Sequence, residues 1–245
     1  MAKYSKEIIV PYYDCNKNGL VRPASILSYM GEVSTIQSVG LGVGISELYD
    51  NNMAWMLNRW KVRFLEYPRP RDKIKVETWC SSIDRFYALR EFAIYNMAGE
   101  KIIKASTQWV LLDTIKKRPK RVPQTMVDIY GAISEKHFTD FYDFKDVSRI
   151  EMRDVVDFHV RKSEIDNNNH VNNAKYLDWM LEAIPVEIDE NHLLYELEIM
   201  YKKEIKYGET IYSSFTRNDE ENTYIHKISK DDEINAFGKS KWIKK

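Results

Sequence analysis

Hydrophobic positions along the chain keep two different rhythms. Over residues 23–41, PASILSYMGEVSTIQSVGL, the apolar Ile26, Leu27, Met30, Val33 and Ile36 recur at helical spacing. Pro23 suits a first helical turn, where a missing N–H goes unnoticed. Alternation then takes over. Residues 54–65, AWMLNRWKVRFL, alternate imperfectly and are rich in Trp, Val and Phe, while 73–80, KIKVETWC, alternate cleanly with Ile74, Val76 and Thr78 on one face. NMAGE at 96–100 reads as a turn that joins a strand over 86–95 to another over 101–112, KIIKASTQWVLL. A long helix followed by a strand meander predicts an α+β unit, an antiparallel sheet wrapped around the helix.

The same pattern returns later in the chain. At an offset of 150, VRPASILSYMGE (21–32) falls on VNNAKYLDWMLE (171–182): Val21 meets Val171, Ala24 meets Ala174, Leu27 meets Leu177, Met30 meets Met180 and Glu32 meets Glu182. The offset drifts downstream, as loops of unequal length require, until Trp109 in ASTQWVL meets Trp242 in FGKSKWI. The chain therefore reads as an internal duplication, each copy a strand, a helix and about four strands. The expected organisation is a first unit over 1–115, a connector over 116–150 and a second unit over 151–245. The connector opens with KKRPKRVP, passes a short helical candidate at 124–132 and turns irregular through HFTDFYDFKDV.

Composition narrows the class. With 245 residues, 44% of them hydrophobic, the chain can bury a sizeable core. Thirty-seven basic residues balance thirty-seven acidic ones, so no global field draws the protein to nucleic acid. The two cysteines, Cys15 and Cys80, build neither a disulfide framework nor a CxxC metal pair. The first residues lack the apolar core of a signal peptide, and no run reaches the length of a membrane helix. The expectation is a soluble, cytoplasmic protein; abundant Lys, Asn and Ile lend it a bacterial cast.

The densest chemistry lies in DNNNHVNN, residues 166–173, just before the second helix. The offset sets His170 on Leu20, Asn168 on Asn18 and Asp166 on Asn16, so the first copy lacks both imidazole and carboxylate. One armed and one disarmed copy fit one active site per chain. The backbone N–H groups of Val171 to Asn173 are expected as unpaired helix-start donors, suited to developing negative charge. An imidazole beside such donors serves acyl chemistry, with Asp166 and Asn168 orienting ring or water. The competing reading is a capped turn with an incidental histidine. His137, His159, His192 and His226 read as surface or packing residues, and the six tryptophans as core.

The run IDNNNHVNNAKYLDWMLEAIP (165–185) resembles the signature region of the acyl-ACP thioesterases, Asp-x-Asn-x-His-Val-Asn-Asn followed by Lys-Tyr and a Trp-containing helix. AWMLNRWKV (54–62), EYPRPRDKIKVETW (66–79) and the stretch from Trp109 through KKRPKRVP are similar to further landmarks of that family. The resemblance covers nearly the whole chain and implies two tandem hotdog units. It implies catalytic roles for Asp166, Asn168 and His170. EIMYKKEIKYGE (198–209) is similar to the Tyr-basic-basic-Glu-Cys stretch of plant members, which adds Glu204 to the set but places Ile205 where they carry Cys. Ile205 has no nucleophilic atom, so a water-based reaction through Glu204 and Asp166 is what remains.

The implied activity is hydrolysis of fatty acyl-acyl carrier protein, which releases a free fatty acid and terminates chain elongation in fatty acid biosynthesis. No metal or redox cofactor is implied. The partner is acyl carrier protein bearing a fatty acyl-phosphopantetheine, with no nucleic acid, no membrane span and a homodimer left open. Met53, Trp55 and Leu57 are the expected acyl-tail wall in the first unit, although the same residues would serve as plain core. KKRPKR, 116–121, reads as a solvated linker or as an aid to docking an acidic carrier. The rival readings are an acyl-CoA thioesterase or other hotdog enzyme, and a non-catalytic acyl-binding regulatory hotdog protein.

Overall fold

A computed structural model describes residues 3–167, 169–218, 220–231 and 233–245, with Asp154 described by its backbone alone. Asn168 thus lies outside the described residues. The chain divides into two compact units, Met1–Thr139 and Asp140–Lys245.

The first unit runs β1 (Tyr4–Ile9), α1 (Pro23–Gly40), α2 (Ile45–Asp50), β2 (Met53–Phe64), β3 (Lys73–Ile83), β4 (Tyr87–Tyr95), β5 (Lys101–Asp113), β6 (Arg118–Pro119) and α3 (Gln124–Tyr130). Its antiparallel strands lie in the order β1-β3-β4-β5-β2, with β6 folded back on β5. The helical rhythm buries Ile26, Leu27, Met30 and Val33 of α1. Toward its end Gln37 turns inward in place of Ile36, its side-chain amide oxygen accepting an N–H from the buried Arg90 of β4 at 2.5 Å. A buried guanidinium needs such acceptors more than the core needs another methyl group.

The second unit runs β7 (Arg153–His159), α4 (Asn173–Glu182), α5 (Val186–Asn191), β8 (His192–Tyr201), β9 (Thr210–Arg217), β10 (Thr223–Lys230) and β11 (Glu233–Lys244). Strand order is β7-β9-β10-β11-β8, which repeats the first unit's order element for element. The helix is shorter, 10 residues against 18. Pro185 stops it, since a residue preceding proline is driven out of the helical region, and Pro185 then caps α5. Where α4 crosses β11, a Cβ on Gly238 would stand 2.6 Å from the Met180 sulfur, so the missing side chain admits the buried methionine. The duplication extends to small contacts. Trp109 Nε1 donates to Thr107 Oγ1 at 2.9 Å in one copy, and Trp242 Nε1 donates to Ser240 Oγ at 3.0 Å in the other.

The stretch read as a connector is shared between the two cores. Val122, Met126 and Tyr130 pack with Val43, Leu48, Cys80 and Leu111 of the first unit. Residues 133–137 then run along the same unit, where Ile133 N–H donates to Cys80 O, Trp79 Nε1 to Glu135 O and His137 N–H to the Glu91 carboxylate. Phe144 and Val147 pack with Ile225 and Phe237 of the second unit.

Candidate active site

The DNNNH loop is a tight turn closed by its own backbone. Asp166 N–H donates to His170 O at 2.8 Å, Asn169 N–H to Asp166 O at 3.1 Å, and His170 N–H to Asp166 Oδ1 at 3.4 Å. Asn169 has a φ of 62°, a left-handed conformation that Asn tolerates better than most residues. The disarmed copy folds the same way. Asn16 N–H donates to Leu20 O at 2.8 Å, Gly19 N–H to Asn16 O at 3.0 Å, and Leu20 N–H to Asn16 Oδ1 at 3.1 Å, with a Gly19 φ of 68°. The short polar residues therefore build the turn, and Asp166 holds it just as Asn16 does. The capped-turn reading describes the loop's bonds, and that turn is what presents the histidine.

Asn172 caps α4, its side-chain oxygen accepting Ala174 N–H at 2.9 Å. The expected row of open helix-start donors needs correction. Val171 N–H donates to Ile205 O and Asn172 N–H to Glu164 O, each at 2.9 Å. Of the three donors anticipated, the Asn173 N–H has no bond among the described residues. The same two bonds recur in the first copy as Val21 N–H to Pro68 O and Arg22 N–H to Asp14 O.

The Val171–Ile205 bond matters because it ties the loop to the neighbour of Glu204. Glu204 stands on the irregular segment after β8. Lys202 and Lys203 N–H groups donate to Asn235 O and fix the start of that segment. As a result Glu204 Oε2 sits 2.9 Å from His170 Nε2. The imidazole is 31% exposed and the carboxylate 57%, so the pair is open to solvent and to a substrate. A neutral imidazole that meets a carboxylate through Nε2 carries its proton there and keeps Nδ1 as an acceptor.

Sequence reasoning missed Tyr176 and Tyr201. Tyr176 on α4 directs its hydroxyl at Lys203 O, 3.5 Å away, and Tyr201 donates to Asn173 O at 2.9 Å; the rings meet edge to face at 5.2 Å. Burial pushes both phenols above their usual range. Together they brace the segment carrying Glu204 against the start of α4. A signal existed, because Tyr176 falls on Ile26 at the repeat offset, a polar tip on an otherwise apolar helix face.

Other singled-out residues fall elsewhere. Met53 and Trp55 lie half-buried against the cluster under α2 and α3, and Leu57 is buried. Burial raises the Cys15 thiol and lifts the Cys80 thiol to about 11, which leaves neither inclined to ionise. His226 is fully buried, and burial pushes it down to about 3. Among the described residues, no group of three or more His, Cys, Asp or Glu side chains is placed to hold a metal ion, and no helix is long and apolar enough to cross a membrane.

Comparison with known proteins matches these units to established ones. Residues 1–130 match the acyl-ACP thioesterase N-terminal domain and residues 147–244 the C-terminal domain. An oleoyl-acyl carrier protein thioesterase of Coriandrum sativum chloroplasts is 26% identical over 243 residues, 92% of this chain and 65% of that protein. A palmitoyl-acyl carrier protein thioesterase of Gossypium hirsutum chloroplasts is 26% identical over 231 residues, 88% of this chain and 55% of that protein. The chain thus spans a little under two-thirds of the coriander protein's length. Among solved structures, an acyl-ACP thioesterase from Bacteroides thetaiotaomicron superposes with a TM-score of 0.88 at 21% identity, covering 98% of each chain. The 12:0-ACP thioesterase from Umbellularia californica superposes with a TM-score of 0.86 at 19% identity, covering 99% of this chain and 98% of the other. These likenesses carry the fold, two hotdog units in tandem. With both domain models matched in order along one duplicated chain, the protein belongs to the acyl-ACP thioesterase family.

Proposed function

We propose that the protein hydrolyses the thioester between a fatty acyl chain and the phosphopantetheine arm of acyl carrier protein, releasing a free fatty acid and ending chain elongation. The observation that carries this reading is the His170–Glu204 pair at 2.9 Å, built into the copy whose turn is armed. Water held by Glu204 attacks the thioester carbonyl carbon. The carboxylate accepts the water's proton as the C–O bond forms. When the C–S bond breaks, the Glu204 carboxyl gives that proton to the departing thiolate, while the His170 Nε2–H holds the carboxyl group in place, giving acid and carrier thiol. Asp166 fixes the turn that aims the ring, Asn168 positions water or carbonyl, and Asn173 N–H at the start of α4 serves the oxyanion. Neither thiol takes part. Met53, Trp55 and Leu57 form one wall for the acyl tail, and the reaction takes place in the cytoplasm.

Turnover of a series of acyl-carrier substrates of increasing chain length, each set against the matching acyl-CoA, tests the reading. Hydrolysis of the carrier thioesters with a clear preference over acyl-CoA is expected. Faster acyl-CoA hydrolysis moves the assignment to the acyl-CoA thioesterases. Binding of acyl chains with no hydrolysis of either substrate moves it to a non-catalytic module.

A further inference from the structure

The hairpin between β5 and β6 concentrates positive charge: Asp113 at its base, held below the usual carboxylate range by the Lys116 N–H and by the charges of Lys120 and Lys116, balances only part of it. Lys116, Lys117, Arg118, Lys120 and Arg121 fall within six residues, and Arg85 joins them because Val122 N–H donates to Arg85 O at 3.0 Å. Among the described residues none of these six cations makes an ion pair. Elsewhere on the protein, surface lysines are commonly matched, as in Lys3 with Glu135, Lys73 with Glu7 and Lys230 with Glu209. The two nearby carboxylates are occupied in shaping turns. Asp113 Oδ1 accepts the N–H groups of Ile115 and Lys116 at 3.1 and 2.8 Å, and Asp84 Oδ1 accepts that of Arg85 at 2.7 Å.

The hairpin is also held firmly. Asp113 pairs with Arg118 and Leu112 with Pro119 in antiparallel register, Lys120 N–H donates to Leu111 O, and Val122 is buried at the base. Lys117 takes the left-handed φ of 48° that closes the turn. At the tip Ile115 is 70% exposed, and at the start of β4 Tyr87 is 42% exposed. Isolated exposed apolar residues are ordinary. An isoleucine set at the tip of a rigid ring of unpaired cations is the combination that an acidic, amphipathic protein surface complements: cations steer the encounter, and the apolar tip supplies a short-range contact.

Building on the proposed hydrolysis, we infer that this hairpin docks the acidic face of the carrier protein, with Ile115 against an apolar position of that face. The probe is holo-acyl carrier protein, titrated calorimetrically into the wild type and into a Lys116→Glu, Lys117→Glu, Arg121→Glu variant, with hydrolysis of a small acyl-pantetheine thioester measured in parallel. The variant is expected to bind the carrier at least tenfold more weakly while hydrolysing the small thioester as the wild type does. Raised salt should weaken wild-type binding and leave the residual binding of the variant nearly flat. Ile115→Ala should weaken binding by a smaller, salt-independent factor. Equal carrier affinity in wild type and charge-reversed protein overturns the inference, and so does a wild type that binds heparin as tightly as it binds the carrier. Carrier binding with no thioester hydrolysis by the wild type removes the proposed activity and leaves the docking surface standing.

Discussion

His170 and Glu204 meet at 2.9 Å although the loops that carry them are separated by α4, α5 and β8. One backbone bond, Val171 N–H to Ile205 O, sets that approach. In the proposed reaction Glu204 is the base and His170 its partner, and the first expectation follows from that. Glu204→Gln keeps the shape of the side chain and removes its basicity. Turnover of acyl-carrier substrate should fall by about two to four orders of magnitude, the range for a positioned acid or base. Substrate affinity and the unfolding midpoint should stay near wild type. Hydrolysis at close to the wild-type rate would assign the proton to Asp166 instead.

The two turns share their hydrogen bonds and differ in the side chain they present. Leu20→Ala is therefore expected to leave hydrolysis within a few-fold of wild type, with any larger change appearing in stability or chain-length preference. His170→Ala should abolish turnover while the protein remains folded. Steady-state kinetics and circular dichroism on both variants decide the matter, and equal, complete inactivation of two folded variants would contradict a silent first copy.

His226 gives the second unit an acid-sensitive core. Burial pushes its folded pKa down to about 3, and its Nε2 lies 2.7 Å from Ser240 Oγ. The unfolded chain takes up this proton near the ordinary histidine value and the folded chain resists it. Stability is therefore whole above the unfolded pKa and is lost as pH falls toward the folded one, by up to about 1.4 kcal/mol per pH unit. Urea midpoints at pH 7 and pH 5 should differ more for the wild type than for His226→Gln. An identical pH gap in both proteins would remove His226 as the source.

Much of this was legible in the residues. Apolar periodicity gave α1 within a residue at its end, and the repeat offset anticipated a second copy of strand, helix and about four strands. Ile36 yielded its place to Gln37 because Arg90 lies on the facing strand, and no local pattern announces a contact 53 residues away. The turn residues revealed a loop, and chemistry alone singled out His170 within it. What remained hidden was long-range. Lys202, Lys203 and Glu204 look like the end of an alternating strand until Asn235 draws their backbone aside. The open helix start also looked plausible until Ile205 and Glu164 took two of its donors. Segment 116–150 read as a connector because it opens on a basic run and turns irregular after one short helical stretch, yet Val122, Met126, Phe144 and Val147 anchor it to one core or the other.

The matched turns before α1 and α4 also bear on how such a protein changes over generations. The loop is closed by main-chain bonds and one Asx side chain, so the side chain it displays takes no part in closing the turn. Catalytic competence and closure of the turn are thereby inherited separately. A doubled gene can then change what one turn displays while the bonds that close the turn persist.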